Sequence, residues 1–342
     1  MDRTRRTLVK AAAAASTVAL PLRASFSAEP RALAISHQFP GGTIEEGDFR
    51  DRLCRKFAVE VERLTGGALK GTVYPNSSLM KTNAQFSAMR KGALDLSLVP
   101  LSYAGGEVPE TGLGLMPGVV TSYEQGARWK TAEIGKAMSD LLRDKGILIL
   151  SWIWQAGGVA SRTRPIVEPE DAKGLKVRGG SREMDMVLKA AGSAVMNIPS
   201  DEIYANMQTG ALDAAMTSST SLISFRLEEV AKQLTTGRGK AYWFMLEPLM
   251  MSRTVFDSLS KAHQDVLVKV GSELEKFAVE GAKADDQKVA STYERAGGKA
   301  YDLSAATVER WRALARETAW KDFAARSDSC AHMLKLAEQT LA

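Results

Sequence analysis

Arg178 lies in the stretch GLKVRGG (174–180), where Leu175 and Val177 predict a buried strand and two glycines leave the backbone bare around a guanidinium. A guanidinium presents a planar fork that matches a carboxylate with two parallel hydrogen bonds, so this arginine could hold an organic acid. It could equally close a structural ion pair with a nearby acid. Placed at the C-terminal end of a strand, it stands where open α/β sheets collect ligands. His37, between a predicted strand and QFPGG, could line the same cleft. His263 and His332 lie in helical stretches without ligand-spaced neighbours and read as surface or packing residues.

Other chemistry finds little support. The chain has no Gly-x-Ser-x-Gly, no His-Glu-x-x-His, no Walker loop and no Gly-x-Gly-x-x-Gly opening a helix. Two cysteines, Cys54 and Cys330, offer no paired metal-ligand spacing. Cys54 borders the apolar face Phe49, Leu53, Phe57, Val61 and Leu64 and reads as packing, while a single Cys54–Cys330 disulfide stays open.

The elements that must position Arg178 alternate. Short apolar runs predict strands at 32–39, 69–75, 94–100, 147–154, 175–179, 212–218 and 241–252. Amphipathic stretches predict helices near 46–65, 79–91, 123–145, 182–191, 200–209 and across 256–295. Strand and helix in turn imply an α/β fold with largely parallel sheets. At 342 residues, 45% hydrophobic, the chain fits two domains.

The first 28 residues differ in kind. A basic head, an apolar run from Ala11 to Leu22 and small residues Ser25 and Ser27 predict a signal peptide cleaved near Ser27 or Ala28. The run is too short for the roughly 20 residues of a membrane span. Arg5 and Arg6 give it a twin-arginine (Tat-like) look, although a Sec leader with two arginines reads the same way. Removing it takes five basic residues and one acid, so the net charge falls from +5 to +1. A nucleic-acid partner would need a basic face that survives processing, and none stands out.

Five ordered blocks are specific: FAVEVERLTGGALKGTVYPNSSL (57–79), AMRKGALDLSLV (88–99), RPIVEPEDAKGLKVR (164–178), IPSDEIYANMQTGALDA (198–214) and EEVAKQLT (228–235). Together they resemble the solute-binding subunit of tripartite ATP-independent periplasmic (TRAP) transporters, dicarboxylate-binding (DctP) type. The resemblance implies a type II-like periplasmic binding protein, with two α/β domains around a cleft and a long helix spanning both. Mapped on this chain, domain I is 29–154 plus 243–282 and domain II is 155–242 plus 283–342. It implies a monomer in the periplasm that binds a small organic acid and delivers it to membrane permease subunits, without catalysis or cofactor. A ligand-reporting partner of a sensor kinase would share the cleft, and a periplasmic enzyme would need a nucleophile or base that the sequence does not display.

The resemblance makes Arg178 the carboxylate anchor. Relatives often carry a second arginine where this chain has Gly157, which puts a second clamp in doubt. The metal-assisted branch needs an acid at about Met216, so no metal is expected. Thr217, Gln155, Tyr103 and His37 join the candidate wall with Trp154, Tyr242 and Trp243. The aromatics favour a monocarboxylate with an apolar or aromatic body.

Overall fold

The computed structural model describes residues 29–341, so the leader expectation lies outside the described residues. Twelve strands form two sheets among them. In chain order they are β1 (Arg31–His37), β2 (Leu69–Tyr74), β3 (Leu96–Leu98), β4 (Ile147–Ser151), β5 (Trp154–Ser161), β6 (Lys176–Arg178), β7 (Ala194–Val195), β8 (Ala214–Ser218), β9 (Gln233–Thr236), β10 (Phe244–Leu246), β11 (Leu249–Ser252) and β12 (Lys299–Asp302). The first sheet runs β2-β1-β3-β11-β4, and the second runs β12-β9-β5-β8-β6-β7 with β10 added beside β5. This is the two-lobed α/β fold that the sequence predicts, but its sheets are mixed and not largely parallel, because β11 and β5 run against their neighbours.

The single strand expected at 147–154 is two, one in each sheet, broken at Trp152 and Ile153. The run 241–252 is likewise two strands, with Glu247 and Pro248 between β10 in the second sheet and β11 in the first. Proline has no N–H to give a ladder, which fits the change of sheet there. Each apolar run therefore carries the chain from one lobe to the other.

The stretch 256–295 resolves into helices Lys261–Glu273 and Glu275–Arg295. The second has 21 residues, about 30 Å of helix. It packs on helix Phe49–Leu64 of the first lobe and on β5, β9 and β12 of the second, so it spans both. The tail divides in the same way. Helix Lys321–Arg326 meets the second lobe through ion pairs Arg182–Asp322 (3.0 Å) and Glu183–Arg326 (3.2 Å). After Ser327, helix Asp328–Glu338 packs on helix Glu133–Asp144 of the first lobe, where Trp129 Nε1 donates to Thr340 Oγ1 at 3.1 Å.

Cys54 is buried under the first sheet with Leu53, Phe57 and Val61, while Cys330 belongs to a different apolar cluster with Trp311 and Phe323. Both are free thiols, and burial pushes each thiol up. A thiol reagent is expected to titrate two groups after unfolding and almost none before it. A denatured, unreduced protein with no reactive thiol would show that the pair is bridged.

Candidate functional site

The two sheets aim their strand ends at one place. β1 and β3 are parallel, and β11 is antiparallel to both β3 and β4. Gln38 after β1, Tyr103 after β3, Gln155 beyond β4 and Glu247 ahead of β11 therefore share the C-terminal edge of the first sheet. In the second sheet β6 and β8 are parallel and β5 is antiparallel to β8, which brings Arg178, Thr217, Ser218 and Gly157 to its C-terminal edge. Such edges are where open α/β sheets bind ligands. Between the lobes a cleft of about 430 Å³ is lined by Asn83, Ser102 and Tyr103 from one side and by Gly180, Ser181 and Asn197 from the other.

Arg178 is buried, and its guanidinium lies over Gly180, where a Cβ would come within 2.6 Å of Nη1. Gly180 also has φ +91°, a conformation that L side chains rarely adopt. The glycine thus makes room for the arginine's own head. Arg178 Nε donates to the Ile198 carbonyl (3.0 Å), Nη1 to the Met216 carbonyl (2.7 Å) and Nη2 to Tyr103 Oη (2.7 Å). None of these partners is a carboxylate. Five N–H bonds are available on a guanidinium and three are used, which leaves one on each terminal nitrogen. Nearby Asp185 makes no hydrogen bond to the guanidinium; burial pushes its carboxyl up to about 6, against the pull of Arg178 and the Gly179 N–H.

Tyr103 joins the lobes, since its oxygen also accepts from the Ser200 N–H at 3.1 Å. Asp201 receives Ser77 Oγ (2.7 Å) and Thr82 Oγ1 (3.0 Å) from the first lobe, and Ser102 Oγ donates to the Gly180 carbonyl at 3.2 Å. These contacts cross the cleft and describe a closed arrangement.

A second guanidinium lies deeper. Arg50 is wholly buried, stacked 3.6 Å from the Phe39 ring centroid. It bonds Asp48 (2.6 and 2.9 Å), Glu247 (3.0 Å), Ser218 (3.3 Å) and Ser221 (3.1 Å). Burial alone would lower its pKa, but Asp48 and Glu247 win and raise it. Burial would likewise raise Asp48, yet the charge and hydrogen bonds of Arg50 hold that carboxyl below its usual value. Glu247 goes the other way. Burial pushes it up, although Arg50 and the amide of Gln155, both donating to Oε2, pull against that. Oε1 of Glu247, Oε1 of Gln155 and both amide atoms of Gln38 are buried without a hydrogen-bond partner among the described residues.

The other predicted site residues are placed as follows. His37 donates from Nε2 to Asp51 (3.1 Å) and accepts the Phe39 N–H at Nδ1 (3.2 Å), so both ring nitrogens are engaged inside the first lobe. Trp154 packs edge-on against Trp129, their centroids 5.0 Å apart, and lines a separate groove beside Lys130 and Glu275. The structure does not bring it to Arg178. Tyr242 stacks on Trp311 at 4.8 Å, under Met216. Trp243 presses its indole on Gly157, so any side chain at 157 would collide with that ring and with the Thr217 carbonyl. That contact gives a physical reason for a glycine at this position. Thr217 is buried on β8 between Met216 and Ser218. Sequence reading passed over Gln38, Arg50 and Glu247. Glutamate inside the apolar run FMLEPLMM was the available signal.

Behind the cleft Tyr123 Oη donates to Asp286 Oδ2 at 2.5 Å, tying helix Tyr123–Trp129 to the spanning helix. Burial pushes Asp286 up to about 6, helped by Asp285 and opposed by hydrogen bonds from Ser219 and Tyr123.

The profile of the bacterial extracellular solute-binding proteins, family 7 (DctP), matches residues 43–327. A solute-binding protein of Albidiferax ferrireducens is 63% identical over 337 residues, covering 98% of this chain and 99% of that one. The C4-dicarboxylate-binding periplasmic protein DctP of Rhodobacter capsulatus is 25% identical over 310 residues, 90% of each chain. Among solved structures, a TRAP periplasmic solute binding protein from Rhodoferax ferrireducens with bound malonate is 67% identical. It superimposes with a TM-score of 0.90 over 90% of this chain and 98% of its own.

The raised carboxyls make stability depend on pH. Folded Asp286 keeps its proton to about pH 6, whereas an unfolded aspartate loses it near 3.8, so the folded form binds more protons between those values. Stability therefore falls as pH rises through that window, and Asp185 acts in the same direction. Melting temperature without ligand is expected to rise as pH drops from 7.5 to 5, and less so in Asp286→Asn. An unchanged slope in that variant would contradict the assignment.

Proposed function

The chain belongs to the bacterial extracellular solute-binding proteins, family 7, and from that premise we propose that it captures a small organic acid by its carboxylate at Arg178 and hands it to a TRAP membrane permease. The observation that carries this reading is a buried guanidinium with two unused N–H bonds and no carboxylate partner, at the edge where both sheets converge. A carboxylate accepting both N–H bonds would supply the missing charge in a site largely shielded from water. The malonate bound to the similar Rhodoferax protein supports an acid of this class. Tyr103, shared between Arg178 and Ser200, couples capture to closure of the two lobes. Enclosing the acid between lobes favours the closed state by the ligand's differential affinity for it. The family is a class of binding proteins, and this reading assigns no catalytic residue.

Malonate is the first probe. Replacing Arg178 by alanine is expected to weaken it about 30-fold to several thousand-fold by calorimetry, the range for a lost buried charge contact. Arg178→Lys should recover little, because a point charge cannot reproduce the fork. Alanine also leaves the Ile198 and Met216 carbonyls without their donor, each worth about 1–3 kcal/mol of stability, so binding is measured below the lowered melting point. Near-normal affinity in folded Arg178→Ala, or equal binding of malonate and malonamide by the parent, would refute the anchor.

We also propose the periplasm as its site of action, reached through the leader. Protein recovered from that compartment should begin near Ala28 or Glu29, and an intact Met1 there would count against it.

A further inference from the structure

Resting on that reading, we infer that Ser77, Thr82 and Asp201 form a latch between the lobes that sets how long the acid is held, without touching the acid. Ser77 and Thr82 belong to the first lobe, and their hydroxyls reach Oδ2 of Asp201 in the second at 2.7 and 3.0 Å. Asp201 has no other hydrogen-bond partner among the described residues, and its Oδ1 is buried and unpaired. None of the three residues lines the cleft, and none bonds Arg178. The neighbouring crossing, from Tyr103 to the Ser200 N–H, shares its phenol with Arg178, so the latch is a closure contact independent of the anchor.

The first lobe holds its half of the latch on strained backbone. Asn76 and Ser77 are successive non-glycine residues with φ of +56° and +53°, at the centre of a turn closed by the Ser78 N–H on the Pro75 carbonyl at 3.0 Å. Turns with both central residues left-handed are dominated by glycine, asparagine and aspartate. Asn76 fits that rule and Ser77 does not. The turn is held from below, because the N–H groups of Asn76 and Ser77 donate to the carbonyls of Phe39 and His37 at 2.9 Å each. Those two residues are themselves fixed, His37 on Asp51 and Phe39 under Arg50. Glycine at 77 would remove the strain but would offer Asp201 no hydroxyl. Strain kept at a residue whose side chain crosses to the other lobe points to a role in closure. Contacts made only in the closed state raise its share against the open one, and release waits on opening. Capture begins from the open state, where the latch is unmade, so losing it speeds release and leaves capture alone.

The test measures affinity by calorimetry and rates by stopped-flow fluorescence on the mature protein. The probe is malonate, replaced by the tightest binder of a panel of small carboxylic acids where malonate fails. Ser77→Gly is expected to release the probe about threefold faster, and Ser77→Gly with Thr82→Val about tenfold faster or more, each with association within about twofold of the parent. The ligand-free melting temperature of Ser77→Gly should hold or rise, because glycine relieves the turn. Thr82→Ser, which keeps the hydroxyl, should release the probe several-fold more slowly than Thr82→Val. Affinity in the double variant within about twofold of the parent overturns the inference, and so does a loss carried by slower association. Ser77→Gly decides alone where the buried change at Thr82 prevents folding: release as slow as the parent's overturns the latch. Each of these results leaves the carboxylate reading standing. If the parent binds no small carboxylic acid, the reading and the inference fall together.

Discussion

Arg50 is a full positive charge with no exposure to water, and much of the architecture follows from what that requires. An unpaired buried charge is among the most destabilising features a protein can carry, so its partners must be fixed in place. They come from everywhere: Asp48 from the same helix start, Glu247 from the second crossing, Ser218 and Ser221 from the far lobe. Satisfying one guanidinium thus sets the N-terminus of helix Phe49–Leu64, the passage between β10 and β11 and the end of β8 in mutual register. The pair is weak evidence for net stability and good evidence for a defined arrangement, since removing any one partner strands the rest.

Two buried arginines with different company then account for the site. Arg50 is neutralised by carboxylates of its own chain. Arg178 is held by two carbonyls and a phenol, with no carboxylate among its hydrogen-bond partners. The difference between a structural cation and an anion receptor lies in those partners, not in depth, because both side chains are shielded from solvent.

Much of this was legible in the sequence. Strands β1, β2, β6 and β8 announce themselves by apolar runs bounded by turns, and Arg178 by its place at the end of one. The breaks in 147–154 and 241–252 were not, because a run such as ILILSWIW stays apolar while it passes from one sheet to the other. β9 (QLTT) and β12 (KAYD) are short and partly polar, so periodicity had little to register. Tryptophan at the end of an apolar run suggested a ligand wall, yet Trp154 found its partner in another tryptophan. Gln38 and Glu247 could not be weighed at all, since the meaning of a lone polar residue in an apolar stretch depends on what faces it.

The division of the C-terminal tail has a mechanical consequence. Two bodies joined by a single linker can swivel and drift, whereas several spaced connections leave them little besides bending about a shared line. Here the chain passes between the lobes at Trp152–Ile153, at Glu247–Pro248, along the spanning helix and again at Ser327, whose backbone is extended and whose hydroxyl caps the final helix. Four ties remove most of the six rigid-body freedoms. Any relative movement of the lobes would have to bend all four at once, so that opening the mouth of the cleft would flex its back.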